Sequence, residues 1–344
     1  MKRFFQYLLM VISVCGMTLV IMPGCNPNSK ATITIQDPGD EIFPLDDYFK
    51  VEKTVNVSAE GKGALLSPIT DFYITDTYAF ILDSNNRIFK VDLNTGQVVK
   101  LLFAGKRLSC ITGDDQYLYC LNISDNKYVC KYDFDLELQQ EINIHLIRAT
   151  SSFIKADQGF MFYNTRQTNK VGRFVVTDNE CLKASSFLIS TDVPRKSQVG
   201  VPTTVLYPHY LFVPYKRGKT LFFDPEYNIA YLYNGHNVQK LFGINNDEAL
   251  SDSRSPYINQ LFFLNGNILV KYSCNRKRCY AYLDKKFNVI SQGMVYPSVD
   301  KNQMSLITQY GSKRLVKIFL TDIGLGDVVP GRSIQAQIIF YRVK

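Results

Sequence analysis

The polarity pattern of this chain alternates with a period of two over most of its length, which predicts β-strands rather than helices. Short stretches of alternating apolar and polar residues are separated by turns rich in Asp, Asn and Gly. The clearest unit, 69–103, contains the stretches ITDFYIT, YAFILD, IFKVD and QVVKLLF, with the tip SNNR between the second and third. We therefore predict an all-β chain.

The four-strand unit recurs along the chain. In the second unit, Tyr117 opens the strand that Tyr78 opens in the first, 39 residues earlier, and Asp133 closes the counterpart of the strand that Asp92 closes. A third unit follows at 153–189, a less regular fourth at 210–244, a clear fifth at 258–293 and the least regular, a sixth, at 303–343. A period of about 40–45 residues with four strands is typical of a propeller blade. The sequence thus predicts a six-bladed β-propeller with four-stranded antiparallel blades.

Closure of the ring is predicted from the segment Phe49–Ser58, which precedes the first unit and belongs to none. Such a strand completes the last blade and removes an open sheet edge. Two packed β-sandwiches are the alternative, which the recurring spacing of the hairpin tips disfavours. We expect a signal peptide at 1–24, a flexible tether at 25–46 that is rich in Pro and Gly, and the propeller at 47–344.

The N-terminus has the pattern of an export signal, with Lys2 and Arg3 before the apolar run Leu8–Met22. An uncleaved anchor helix is the alternative, but Pro23-Gly24 is typical of a helix end. The segment 22–25 (MPGC) resembles a bacterial lipobox, although its Met and Pro depart from the usual residues. The resemblance implies that Cys25 is lipidated and holds the protein to a membrane. Asn26 and the lack of an acidic run behind it favour a periplasm-facing site on the outer membrane.

Composition excludes a disordered regulator, because 46% of the 344 residues are hydrophobic and 13% are aromatic. Two hairpins are predicted to bring cysteines face to face as candidate disulfides, Cys274 with Cys279 and Cys120 with Cys130. Bound zinc is not predicted, since the chain has no C-x-x-C motif and only three histidines.

Catalytic residues are not predicted, because none of the histidines lies in a setting that would activate a Ser or Cys nucleophile. Asp92–Gly96 matches the first half of a calcium loop but lacks the later glutamate, so a turn is favoured. We expect no cofactor, with calcium left open. A hydrolase or lyase with carboxylates or calcium in the central funnel is the alternative function.

Charge placement is the strongest functional signal in this sequence, whose net charge is +8. In a propeller, tips between the second and third strands lie on one face with the connections between blades. We predict that this face binds an anionic glycan or protein partner and that nucleic acid is not a partner. Charged hairpin tips that are merely solvated are the competing explanation. The candidate residues are Arg87, Lys106, Arg107, Lys127, Arg166, Lys170, Arg276, Lys277, Arg278, Lys313 and Arg314.

Several segments resemble a family of lipid-anchored six-bladed propeller proteins of Gram-negative gut anaerobes, a domain of unknown function. They are 49–72 leading into 78–92, then 257–273 followed by 282–288, and the final strand 338–344. The resemblance covers nearly the whole mature chain and implies the same fold and anchoring. Family members usually carry a glycine-rich stretch after the first blade, where this chain has only Ala104-Gly105-Lys106-Arg107. The family implies no reaction.

Overall fold

The computed structural model describes residues 32–58, 66–124, 127–144, 150–164, 172–187, 211–216, 218–224, 228–244, 256–295, 305–320 and 336–344. Their strands form six antiparallel sheets of four strands, one of which gains a short fifth strand in parallel. The predicted all-β, six-bladed propeller is confirmed.

Each blade takes its four main strands from one stretch of chain, except the last. Blade 1 contains β3 (Ile69–Ile74), β4 (Tyr78–Asp83), β5 (Arg87–Asp92) and β6 (Val98–Phe103). Blade 2 contains β7 (Leu108–Gly113), β8 (Tyr117–Asn122), β9 (Tyr128–Asp133) and β10 (Leu138–Asn143). Blade 3 contains β11 (Thr150–Ala156), β12 (Gly159–Asn164), β13 (Phe174–Thr177) and β14 (Ala184–Phe187).

The second half of the ring follows the same order. Blade 4 contains β15 (Phe212–Lys216), β16 (Lys219–Asp224), β17 (Ile229–Tyr233) and β18 (Val238–Ile244), with β1 (Thr32–Ile33) added at its edge. Blade 5 contains β19 (Tyr257–Leu264), β20 (Asn267–Cys274), β21 (Lys277–Leu283) and β22 (Val289–Met294). Blade 6 contains β23 (Leu306–Tyr310), β24 (Arg314–Leu320), β25 (Ala336–Val343) and, from the N-terminal region, β2 (Phe49–Val57).

Within each blade we call the strands A to D from the axis outward, since the first strands of most neighbouring blades contact one another. The A–B and C–D turns lie on one side of the ring, the AB face. The B–C turns and the connections between blades lie on the other side, the BC face.

Strand β2 closes the ring as the D strand of blade 6, as predicted. It pairs antiparallel with β25 from Phe49↔Val343 to Val57↔Ala336. Its end also reaches blade 1, where the Ser58 backbone N–H donates to the Gly96 carbonyl at 2.8 Å. The first and last blades are therefore joined by backbone hydrogen bonds.

The repeat seen in the sequence reflects a capped turn between strands C and D. An Asp or Asn at or just beyond the end of strand C accepts backbone N–H bonds from the turn that follows, which fixes a tight turn. These residues are Asp92, Asp133, Asp178, Asn234 and Asp284.

A second repeated feature links neighbouring A strands. Four of these strands carry a β-bulge near their start, at Asp71, Cys110, Ser152 and Gln260. The Asp71 carboxylate accepts the Ile111 N–H of the next blade at 2.9 Å. The Gln260 amide donates to the Ile307 carbonyl at 2.7 Å. Bulges thus aim polar side chains at the adjacent blade.

The core fills the seams between blades with aromatic and aliphatic side chains. Phe174 of blade 3 and Phe222 of blade 4, for example, are fully buried with ring centroids 4.2 Å apart. Because both faces of each blade are covered, the B strands are apolar almost throughout.

Residues 32–48 form a strap across the outer edges of blades 4 and 5, where the sequence predicts part of a flexible tether. Strand β1 pairs in parallel with β18. The Phe43 backbone N–H donates to the Met294 carbonyl at 2.8 Å, and the Met294 N–H donates to the Glu41 carbonyl at 2.7 Å. Phe43 is 4% exposed. A short helix, α1 (Leu45–Tyr48), then leads into β2. The strap is ordered because Ile33, Ile35 and Phe43 bury apolar surface between blades.

Candidate functional site

The BC face receives most of the cationic residues predicted for it. Arg87 follows the B–C turn of blade 1, and Lys127 lies at the tip of blade 2. Lys106 and Arg107 lie in the connection between blades 1 and 2, and residues 276–278 lie at the tip of blade 5. Arg166, Lys170 and Cys25 lie outside the described residues.

Three of these cations are neutralised by nearby carboxylates. The Arg87 guanidinium donates to the buried Asp83 carboxylate at 2.6 and 2.9 Å. Lys106 forms an ion pair with Glu141 on β10. Lys277 pairs with Asp40 of the strap at 3.0 Å and also donates to the Gly39 carbonyl at 2.7 Å. These side chains support the local structure more than they present charge to solvent.

Three arginines on this face keep their charge exposed. Arg107, Arg276 and Arg278 are all solvent-exposed, and none has an ion-pair partner within the described parts of the chain. Arg276 and Asn275 form the two-residue turn of the blade 5 hairpin, with φ of 63° and 49°. Positive φ at both positions is the signature of a type I′ turn, which projects the Arg276 side chain away from the sheet.

The placement of Lys313 and Arg314 on the BC face is wrong. Both residues lie at the turn between β23 and β24, which is the A–B turn of blade 6. The B–C connection of that blade comes later in the chain, after Leu320. Arg314 accordingly donates to Glu52 on β2 at 2.6 Å on the AB face, close to the A–B turn of blade 1.

Of the two predicted pairs of facing cysteines, the structure contains one. Cys120 lies opposite Cys130 in the β8–β9 hairpin, as predicted. In the blade 5 hairpin, however, Cys274 lies opposite Lys277 and Cys279 lies opposite Tyr272. The two-residue turn replaces the predicted four-residue loop and shifts the register by two, which leaves the faces of the strands unchanged.

All six described cysteines are buried free thiols. Burial raises the pKa of the Cys120 thiol well above its usual range, and nearby Cys130 and Cys110 act in the same direction. Such thiols are poor nucleophiles. Disulfides within the two pairs stay predictions, and the second pair lies diagonally across the hairpin.

Acidic groups gather on the AB face, where Asp76, Asp114 and Asp157 lie in the A–B turns of blades 1 to 3. Asp114 is fully occupied: one oxygen accepts two backbone N–H bonds and the other accepts the Tyr119 hydroxyl at 2.9 Å. The Tyr310 hydroxyl donates to Asp76. Asp114 thus serves as a turn cap and a tyrosine partner, and Asp76 serves as a tyrosine partner.

The described residues contain no cluster of three or more His, Cys, Asp or Glu that could hold a metal ion. In the calcium-like segment, one Asp92 oxygen accepts the backbone N–H groups of Asn94 at 2.7 Å and Thr95 at 3.2 Å. Asp92 therefore acts as a turn cap in the structure. Calcium binding elsewhere stays a prediction.

Sequence analysis missed two lysines, Lys271 on β20 and Lys317 on β24, because both lie within strands rather than at tips. Both are partly buried between blades 5 and 6. Burial and the nearby Arg278 and Lys317 lower the pKa of Lys271 to about 8. Aligning the B strands of the repeat would have revealed Lys271, since blades 1 to 3 carry aliphatic or aromatic residues at its position.

The fold is similar to those of two solved Bacteroides proteins. A Bacteroides fragilis protein described as exported has a TM-score of 0.63 at 13% identity, over 92% of this chain and 100% of the other. A DUF4221 family member from Bacteroides vulgatus has a TM-score of 0.56 at 10% identity, over 86% and 98%. At such identities the similarity shows the fold alone. No family model and no curated protein matches the sequence.

Within the described residues, no helix has the length and apolar character needed to cross a bilayer.

Proposed function

We propose that this chain is an exported, lipid-anchored binding protein that recognises an anionic glycan or protein partner through the BC face. It acts as a scaffold and not as an enzyme. The observation that carries the proposal is a set of three arginines on that face, Arg107, Arg276 and Arg278, which are exposed and have no ion-pair partner within the described residues. These three remain after the ion pairs of Arg87, Lys106 and Lys277 have been counted.

Arginine suits this role because its planar guanidinium forms two parallel hydrogen bonds with a carboxylate, sulfate or phosphate. Each exposed contact is weak in water. A ligand with several anionic groups would engage more than one arginine, and such binding is sensitive to salt.

Anchoring through Cys25 would place the propeller close to the membrane. Only six residues, 26–31, separate that cysteine from β1 at the edge of blade 4. Even if it were fully extended, the chain from Cys25 to Thr32 would span only about 25 Å. The packed strap therefore implies a short connection, with the edge of blade 4 turned towards the lipid surface. A periplasm-facing outer-membrane location is part of the same proposal.

The binding role is tested by screening the full mature chain against matched acidic and neutral glycans at low and high salt. We expect binding to acidic glycans only, weakened by salt, and reduced at least tenfold by Arg107→Ser with Arg276→Ser. Lys313→Ser is the matched control, because it removes an exposed charge from the AB face. Equal binding to neutral glycans, or equal loss in the control, would overturn the proposal.

A further inference from the structure

Charge is divided unevenly over the AB face. In blades 1 to 3, the ionisable residues of the A–B turns are all acidic, namely Asp76, Asp114, Asp115 and Asp157. In blades 4 to 6, the described residues of the A–B turns contain no acid. Basic residues lie in or next to those turns and in the C–D turn of blade 5, namely Lys219, Lys285, Lys286 and Lys313. In the C–D turns, Lys183 of blade 3 and Asp284 of blade 5 are the exceptions, and Asp284 caps its own turn.

Most of these side chains are available to a second molecule. Asp115, Asp157 and the four lysines are exposed, and none of them has an ion-pair partner within the described parts of the chain. Asp76 is also exposed and accepts the Tyr310 hydroxyl. Asp114, in contrast, is occupied by its own turn and by Tyr119. The AB face therefore has an acidic half on blades 1 to 3 and a basic half on blades 4 to 6.

Exposed apolar side chains are concentrated at the same face. Seven large hydrophobic residues are exposed among those described, and five of them lie in a C–D turn or within the first three residues of a D strand. A D strand leaves the AB face at that end. The five are Val51, Val99, Leu138, Leu182 and Ile290. Single exposed hydrophobic residues are ordinary, but several on one face indicate a contact surface.

One twofold axis lays the two halves of this face on each other. The axis lies in the plane of the AB face and runs from the seam between blades 3 and 4, through the centre of the ring, to the seam between blades 6 and 1. A rotation of 180° about it places blade 1 of one copy on blade 6 of the other, blade 2 on blade 5 and blade 3 on blade 4. Each contact then occurs twice, as in any isologous dimer.

Opposite charges meet in the blades next to this axis. Asp76 lies in the A–B turn of blade 1, and the rotation places it on the A–B turn of blade 6, which carries Lys313. Asp157 lies in the A–B turn of blade 3, and Lys219 directly follows the A–B turn of blade 4. Both pairs therefore combine an exposed carboxylate of one copy with an exposed ammonium of the other.

Blades 2 and 5 match in the same way. Lys285 belongs to the C–D turn of blade 5, but its side chain lies against the A–B turn of that blade. A Cβ added at Gly266 in that A–B turn would lie 2.7 Å from the Lys285 Cε. The rotation places this lysine on the A–B turn of blade 2, where Asp115 is exposed. All three pairs of facing blades thus bring an acid to a base.

The exposed apolar residues follow the same pairing. Leu138 begins the D strand of blade 2, and Ile290 is the second residue of the D strand of blade 5. Val99 and Val51 lie near the starts of the D strands of blades 1 and 6. The rotation brings aliphatic side chains of one copy towards those of the other at the outer edge of the face, where burial of apolar surface stabilises the contact.

We propose that the AB face is a homodimer interface, in which two copies of this chain pack face to face about this axis. A single exposed ion pair is weak, so affinity depends on the whole set of repeated contacts. Both outer edges of blade 4 lie at the same end of the axis, so the proposed anchors at Cys25 would enter one membrane. The inference does not rest on the proposed function, because the BC faces stay open on the outer sides of the dimer.

Sedimentation equilibrium of the full mature chain carrying Cys25→Ser tests the dimer, at about 1–100 μM protein and about 50 or 500 mM salt. We expect a dimer at low salt that dissociates about tenfold more readily at high salt. The acid-half variant, Asp115→Lys with Asp157→Lys, and the base-half variant, Lys285→Glu with Lys313→Glu, should each be monomeric. Glu41→Lys is the control and should dimerise as wild type does, since it reverses an exposed acid of the strap outside the AB face.

Mixing the acid-half and base-half variants gives the sharpest result. In the mixed dimer, the reversed acidic half faces the reversed basic half and the two native halves face each other, so we expect association to return. A wild-type protein that stays monomeric at low salt, variants that dimerise as wild type does, or a mixture that stays monomeric would each overturn the interface. Leu138→Ser with Ile290→Ser is a second variant should the charge reversals disturb the fold, and it should weaken the dimer about tenfold. Acidic glycan binding retained by the monomeric variants would separate this interface from the BC face.

Discussion

Lys271 takes a place where three other blades bury an aliphatic or aromatic side chain, and it lies partly buried between blades 5 and 6. A lysine whose pKa falls from 10.5 to about 8 on folding destabilises the protein while it stays protonated. We therefore expect Lys271→Met to increase the free energy of unfolding at pH 7. A full shift of one pKa unit is worth about 1.4 kcal/mol, and partial exposure limits the gain to about 1–2 kcal/mol.

The stability gained by Lys271→Met should decrease as the pH rises. Between pH 8 and 10.5 the unfolded chain holds the Lys271 proton that the folded chain has released, so wild-type stability rises relative to the variant. The advantage of Lys271→Met should be full below pH 8 and shrink as pH rises through 10.5. Urea unfolding at pH 7 and 10 measures it, with Lys219→Met as the exposed control. A constant difference at both pH values would contradict burial of a charged ammonium as the cause.

The sequence pattern predicted the C–D turns well, but it predicted the exposed charge of the BC face poorly. Asp92 and Asp133 identified the repeat because the C–D turn is capped by a side-chain oxygen that accepts backbone N–H bonds. The exposed field could not be predicted, since Asp83, Glu141 and Asp40 neutralise three of the cations from distant or buried positions. The net charge of a surface depends on which ion pairs form in the folded chain, and the order of the residues does not show this.

Among the elements, the strap (residues 32–48) packs its backbone closely against Gly293 on β22. A Cβ added there would lie 2.3 Å from the Phe43 backbone nitrogen and 2.6 Å from the Ile42 carbonyl carbon. Gly293→Val should therefore displace the strap and lower stability by about 1–3 kcal/mol. Ser291→Val, two residues earlier on β22, is the control. Limited proteolysis should cut the strap faster in the Gly293 variant, and equal protection in both would refute the contact.

The closing strand makes an independent test of the ring. Val57 on β2 is fully buried between blades 6 and 1, whereas Val51 on the same strand is 57% exposed. Val57→Asp buries a carboxylate without a partner and should abolish cooperative folding. The free energy of unfolding of Val51→Asp should lie within about 0.5 kcal/mol of the wild-type value. If the thermal unfolding curves of the two variants coincide, closure of the ring by this strand is contradicted.

Element order was predictable from period and alternation, but two details were not. The blade 5 register was missed because the two-residue turn at Asn275-Arg276 places an arginine at positive φ, where glycine is usual. The strap was missed because its prolines suggested a tether, although Thr32-Ile33-Thr34-Ile35 alternates as a strand does. In blade 6, the long B–C connection disguised the A–B turn that carries Lys313.

At the scale of the whole molecule, the proposed lipid anchor at Cys25 would hold the BC face near a membrane. Cys25→Ser should move the protein from the membrane fraction to the soluble periplasmic fraction. Cys15→Ser, within the apolar run of the signal, is the matched control and should leave the protein on the membrane. Fractionation with metabolic fatty-acid labelling measures both. A Cys25 variant that stays acylated and membrane-bound would contradict the anchor.

The central claim is that the BC face binds anions through its exposed arginines, and the salt dependence of affinity tests it most directly. An acidic glycan is titrated into the full mature chain from about 50 to 500 mM salt, with Arg107→Ser, Arg276→Ser beside wild type. Opposite charges on solvent-exposed surfaces attract less as salt rises. We predict that wild-type affinity falls steeply with salt and that the double variant binds weakly with a much flatter slope. Identical slopes and affinities in the two proteins would contradict the account.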